Sequence, residues 1–226
     1  QSGVQTVMLF LNRYGVAPGL SLRAYQQYGA NAVERIKENP YRLCENLSGV
    51  SFKKADSIGA AMGLSPDNPY RVAAGVEYLL QYNSQNGHTY LHRKQLIGLA
   101  CRMLNVSEDC VENVLVELQL KNRICAVTEG EERIFLYDLY RSERQCAFSL
   151  LEMVRDVPEC PDQLEQQLQQ AEQGIGITLE QAQRDAVIEA VKNRVMIITG
   201  GPGTGKTTVI RTIAALFEGM GLRVEL

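Results

Sequence analysis

Apolar positions along the chain recur mostly at helical spacing, in short runs cut by glycine and proline. Between Gly3 and Gly63 the runs are brief, and in ENPYRL the order Asn39, Pro40 predicts a helix start with the asparagine as N-cap and the proline at the first helical position. The same device returns in DNPYRV at Asn68 and Pro69. From Arg71 to Tyr82, Val72, Val76, Leu79 and Leu80 share one helical face, and QNGHTYL then supplies a turn and a β-prone stretch. Two further stripes follow: Leu96, Leu99, Ala100, Met103 and Leu104, then, after the capping residues of NVSED, Val111, Val114, Leu115 and Leu118. RICAVTE and ERIFLYDL alternate as strands do. One strand, two helices and a hairpin is the order of a winged helix-turn-helix.

Arg141 to Val154 reads as an amphipathic helix with Ala147, Leu150, Leu151 and Val154 on one face, ended by VPECP. DQLEQQLQQAEQG is glutamine-rich and narrowly apolar, which predicts a solvent-bridging helix between domains. A boundary is expected near Gly174. Beyond it VMIIT, Val195 to Thr199, is the continuous apolar run of a buried parallel strand, and Lys206 to Gly219 is a helix with Val209, Ile210, Ile213, Ala214 and Phe217 inward. The pattern predicts a mainly α multidomain chain. Its parts are a helical region over 1–70, a winged-helix-like α+β domain over 71–140, linking helices over 141–173, and the start of a P-loop α/β domain over 174–226.

Composition narrows this only slightly. With 45% hydrophobic and 22% charged residues the chain falls in the ordinary globular class. VMLFL, Val7 to Leu11, is too short to span a bilayer and lacks a signal-peptide layout, so a cytoplasmic protein without a membrane partner is expected. Six cysteines form no C-x-x-C pair, and only His88 and His92 could complete a metal site, so neither zinc nor a disulfide framework is supported. Net charge of −3 hides a gradient: residues 1–106 hold 11 Lys/Arg against 6 Asp/Glu, residues 107–173 hold 6 against 15, and residues 174–226 hold 6 against 5. Contact with a phosphate backbone is expected from the first half or the end, and the acidic middle is a solvated or partner-facing surface.

The stretch ITGGPGTGKTT, Ile198 to Thr208, carries the chemistry. Strand, glycine loop and helix stand in the order of a P-loop, and G-x-x-x-x-G-K-T is matched by Gly200, Gly205, Lys206 and Thr207. Glycines at 200, 201, 203 and 205, with Pro202 and Thr204 between them, let successive N–H groups approach an anion, and the helix beginning at Lys206, Thr207 and Thr208 adds its positive end. Lys206 supplies a charge to the β- and γ-phosphates, and the Thr207 hydroxyl is placed for Mg²⁺. Phosphoryl transfer also needs an acid on the metal and a group orienting water, which normally lie on later strands. Only LRVEL follows, reading as the beginning of a second strand, and Glu225 is too early to be that acid. The chain opens with Gln1 rather than Met, and both ends are expected to be cut.

Upstream of the loop lies LEQAQRDAV, with Leu179 four residues before Gln183 and Ala186–Val187 just beyond. This resembles the Q motif of superfamily 1 helicases, in which the glutamine reads the adenine edge. With GGPGTGKTT it resembles the start of a RecD/TraA-type DNA helicase, of the exodeoxyribonuclease V α-subunit family. NPYRL, SGVSFKKADSIGAAMGL, NPYRV, NGHTYL and FLYDLYRSERQ are similar to the long-form RecD-like proteins, whose N-terminal extension precedes a RecA-like motor. The resemblance implies ATP and Mg²⁺ as cofactors, 5′→3′ movement on DNA, and a single-stranded or junction substrate. LSGVSFKKADSI resembles a helix-hairpin-helix element, with Gly49, Ser51, Lys53 and Lys54 at its DNA-facing turn. Ser51 stands where a second glycine is usual, and a hairpin used only for packing is the alternative. YGVAPGLSLRAYQQYG, Tyr14 to Gly29, is a more degenerate copy. In the winged-helix-like region Glu108, Asp109, Glu112 and Glu117 would repel a phosphate backbone, so scaffolding or a protein partner is expected there. The competing function is a non-catalytic DNA- or protein-binding module.

Overall fold

The computed structural model describes residues 2–155 and 158–225. Two compact units divide the chain, 1–142 and 143–226.

The first unit begins with two helical hairpins. α1 (Ser2–Asn12) and α2 (Pro18–Tyr28) form one; a single 3₁₀ turn at Gly29–Asn31 and α3 (Ala32–Glu38) lead to the second, α4 (Arg42–Asn46) and α5 (Phe52–Ala61). Asn39 Oδ1 accepts from Tyr41 N–H at 2.9 Å, but the expected helix start moves: Tyr41 is the N-cap of α4 with no side-chain cap, Asn39 ends α3, and Pro40 lies in the turn between them. Val7, Leu11, Val16 and Ala24 of the first hairpin and Leu43, Leu47 and Ile58 of the second bury one shared core, with Ala32 and Ile36 of α3.

α6 (Pro69–Gln85) starts at Asn68, whose side chain accepts from Tyr70 N–H, with Pro69 at the first helical position. β1 (Tyr90–His92), α7 (Arg93–Leu104), α8 (Glu108–Leu120), β2 (Ile124–Glu129) and β3 (Glu131–Leu136) follow in the order the pattern predicts. The sheet runs β1-β3-β2, both pairs antiparallel, with Leu91 and Ala126 opposite Ile134. Ser107 caps α8 by accepting from Cys110 N–H. Val111, Val114, Leu115 and Leu118 are buried as predicted, whereas Met103 is exposed because Ile97 takes the inner place in its helix. No gap in packing falls at 70/71. Tyr41, Phe52 and Ala55 share a core with Val72, Leu80, Leu96, Leu115 and Ile134, because α6 packs on the hairpin and on the sheet-bearing part alike.

α9 (Tyr137–Arg155) carries none of its apolar stripe into a core: Phe148, Leu150, Leu151 and Val154 are exposed. VPECP begins at residue 157, outside the described residues, and 158–160 are not helical. α10 (Leu164–Ile175) is not a free bridge. Its Leu164 and Leu168 join Leu179, Val187 and Val191 of the following segment in a core with Val209 and Leu216. α11 (Gln181–Lys192) and α12 (Lys206–Gly219) complete that unit.

The predicted strand at Val195–Thr199 does not form: residues 195–199 are irregular, and Ile197 is 84% exposed. LRVEL likewise shows no strand over 222–225, and Leu226 lies outside the described residues. The reason is the missing partner. A strand's N–H and C=O groups need a neighbouring ladder, and among the described residues the only sheet is the three-stranded one of the first unit. Among the described residues of 174–225 the expected strands are therefore absent, and α11 and α12 stand there with irregular segments between and after them. No described helix is long and apolar enough to cross a membrane.

Candidate nucleotide loop and nucleic-acid hairpin

The loop Gly200–Gly205 runs into α12 with no side-chain cap on that helix. Its first N–H groups have no intrahelical acceptor, and a helix N-terminus carries partial positive charge. Gly203 and Gly205 hold φ of +78° and +80°, the left-handed region that glycine enters without steric cost. Space is limiting elsewhere. A Cβ at Gly200 would lie 2.6 Å from Thr204 Oγ1, which itself donates to Gly201 O at 2.9 Å, and a Cβ at Gly205 would overlap Gln183 Nε2. Lys206 Nζ donates to Gly200 O at 2.6 Å and Gly201 O at 2.7 Å, so the ammonium sits over the loop with one donor left. Thr207 is exposed in the first turn of α12, and Thr208 O accepts from buried Thr212 Oγ1.

Gln183 is brought to the loop across 21 residues. Its Nε2 donates to Thr204 O at 3.2 Å while its Oε1 accepts from Glu180 N–H at 3.1 Å. The second bond belongs to a capping box between Glu180 and Gln183 that starts α11. Glu180 is thus a residue that sequence reasoning missed, although glutamate followed three positions later by glutamine was a visible signal. Both Gln183 groups keep capacity, since an amide has a second N–H and a second lone pair. Arg184 beside it is held by Glu165 and by Glu172, whose Oε1 also accepts from Leu179 N–H at 2.9 Å. Among the described residues no group of three or more His, Cys, Asp or Glu could hold a metal.

In the hairpin, Gly49 holds φ of +80° and Ser51 is an extended N-cap whose Oγ accepts from Lys54 N–H at 3.3 Å. The serine in the usual glycine place therefore caps α5 with a backbone conformation open to any residue. The first hairpin repeats this shape: Gly15 is at +65° and Ala17 is an extended N-cap. The two turns are cross-tied. Arg23 Nη1 donates to Ser48 O at 2.6 Å and Lys54 Nζ donates to Gly15 O at 3.1 Å. Lys53 and Lys54 are both exposed. Arg23, 25 residues from its acceptor, carried no signal in the sequence.

The acidic residues of α8 are partly committed. Glu112 pairs with Arg93, which also reaches Glu132 at 3.2 Å, and Glu117 pairs with Lys121. Glu108 and Asp109 sit in the first turn of α8, where negative charge favours the helix.

Comparison with known proteins matches these two regions separately. Residues 1–90 match the family model described as the HHH domain of ATP-dependent RecD2 DNA helicase, and residues 183–225 match an AAA domain. The ATP-dependent RecD2 DNA helicase of Deinococcus radiodurans is 27% identical over the whole of this chain, which spans 33% of that protein. The RecBCD enzyme subunit RecD of Buchnera aphidicola is 29% identical over 65% of this chain and 27% of its own length. An uncharacterised protein of Methanocaldococcus jannaschii is 27% identical over 92% of this chain and 21% of its own. The chain thus spans about a third or less of the relatives it matches. The hairpin region at one end and the phosphate-loop region at the other are each matched, so the chain is similar to the RecD-like helicases at both ends.

Proposed function

We propose that this chain supplies the accessory DNA-binding region and the first nucleotide-binding motif of an ATP-driven DNA helicase, one moving 5′→3′. The observation that carries the reading is the uncapped N-terminus of α12, fronted by left-handed Gly203 and Gly205 and topped by the Lys206 ammonium. A triphosphate there accepts from those N–H groups and from Lys206, and Thr207 stands in the same turn for the Mg²⁺ it brings. Gln183, already bonded to the loop at Thr204, offers its remaining N–H and lone pair to adenine.

The hairpin holds the DNA arm: Gly49, Ser51, Lys53 and Lys54 form an exposed basic turn, while the α8 face is kept off the backbone by its carboxylates. Phosphate attraction of this kind is sequence-independent and salt-sensitive. Replacing Lys53 and Lys54 by glutamate should weaken DNA binding and flatten its salt dependence. Anisotropy titrations unchanged at low salt would remove the hairpin from the DNA path. The 226-residue chain should bind ATP yet show negligible steady-state turnover, and robust hydrolysis would contradict the division of labour proposed here.

A further inference from the structure

A cleft of about 460 Å³ lies beside the hairpin, between the turn at Val50–Phe52 and one face of α6. That size falls within the roughly 300–1,000 Å³ of small-ligand sites. Its lining is aromatic on one side: Phe52, Tyr78 and Tyr82 follow one another with ring centroids 5.4 and 6.3 Å apart and interplanar angles of 24° and 32°, and buried Tyr41 stacks behind Phe52 at 6.0 Å and 22°. The series runs from fully buried Tyr41 to Tyr82, which is 57% exposed and offers an open face.

The walls are polar. Arg123 clasps Glu77 with Nε on Oε1 and Nη2 on Oε2, both at 2.9 Å, a two-pronged pair that fixes one wall. Glu45 reaches Arg123 only at 3.8 Å, beyond hydrogen-bond range, so its oxygens still accept. Gln81 and Gln85 on α6 project side-chain amides that have no hydrogen-bond partner among the described residues. A flat ring with donors and acceptors on its edge satisfies this lining. An aliphatic ligand would leave the amides unpaired, and an isolated phosphate would face two carboxylates.

We propose that the cleft takes one unpaired nucleobase of single-stranded DNA, stacked on Tyr82 at the open end of the series with its edge on Gln81, Gln85 and Glu45. The proposal rests on the reading of the hairpin as the DNA-contacting turn, because Ser51 and Phe52 belong to both and place the neighbouring phosphate. Stacking of this kind tolerates any base, since each has a π-face.

The test uses the 226-residue chain, a labelled oligothymidine and a blunt duplex of equal length. Tyr82→Ala should weaken binding of the single strand by about tenfold and leave the duplex unaffected. Its salt slope should stay that of the wild type, because no cation is removed. Tyr82→Phe should bind as the wild type does. An oligonucleotide carrying iododeoxyuridine should photocrosslink to Phe52, Tyr78 or Tyr82. Wild-type single-strand affinity in Tyr82→Ala, or equal loss on both DNAs, overturns the proposal. If the Lys53 and Lys54 replacements flatten the salt slope while Tyr82→Ala is silent, the hairpin reading stands and the cleft falls. If Tyr82→Ala acts on the single strand while the lysine replacements are silent, the base site stands and the hairpin is not its phosphate contact.

Discussion

Two helices in this molecule begin behind a glycine held at φ of +80°: α5 after Gly49 and α12 after Gly205. They differ in what meets the helix end. At α5, Ser51 fills one N–H by capping, and Lys54 is drawn to the carbonyl of Gly15. At α12 nothing caps, and Lys206 lies over the loop's own carbonyls. One end is closed on itself and rests on a finished core; the other has no side-chain cap. The left-handed glycine stands two residues before the extended N-cap of α5 but is itself the N-cap of α12, and on the proposed reading the first turn attracts a phosphate backbone and the second encloses phosphates.

The sharpest way to break this comparison is to give both glycines a Cβ. Gly205→Ala carries left-handed strain of about 1–2 kcal/mol and displaces Gln183, so nucleotide affinity should fall by roughly 30-fold or more, read by titration of a fluorescent ATP analogue. At Gly49 a Cβ meets open space. Gly49→Ala should cost only the strain, about 1 kcal/mol in thermal unfolding, with nucleotide affinity untouched.

The finished core behind the hairpin also has an electrostatic signature. Burial pushes the Glu77 carboxyl up to about 7, overcoming the opposing pull of Arg123. The native state then holds a proton that the unfolded chain has released, so stability falls as pH rises from the ordinary carboxylate range through about 7. Glu77→Gln should flatten that slope, measured by melting across pH. A wild-type slope in the variant would mean that desolvation of Glu77 is already offset.

The smallest effect concerns the cap itself. Ser51→Ala should lose about 1 kcal/mol and Ser51→Gly only a few tenths. The glycine variant frees an N–H at the helix end, so it should bind DNA at least as well as the wild type in the same anisotropy assay. Weaker binding by Ser51→Gly would show that the hydroxyl contacts DNA directly.

Helices and caps were legible in the sequence because their determinants are local. Asn68–Pro69, Ser107 and the stripe from Val111 to Leu118 each act within a turn or two. The loop glycines were legible for the same reason. What misled was non-local. VMIIT has the composition of a strand, but a strand exists only with a hydrogen-bonded neighbour, and none stands beside it among the described residues. DQLEQQLQQAEQG looked too polar to pack, yet Leu164 and Leu168 are enough to anchor α10. The ties of Arg23 to Ser48 and of Gln183 to Thr204 join residues 25 and 21 positions apart, which no periodicity reports.

The uncapped end of α12 is proposed to hold a nucleoside triphosphate through Lys206. Calorimetric titration of the chain with ATP and Mg²⁺ tests it most directly, run beside Lys206→Ala. Saturable binding that the alanine variant loses, with its DNA affinity unchanged, is the predicted result. No binding by the wild type, or equal binding by both, would contradict it.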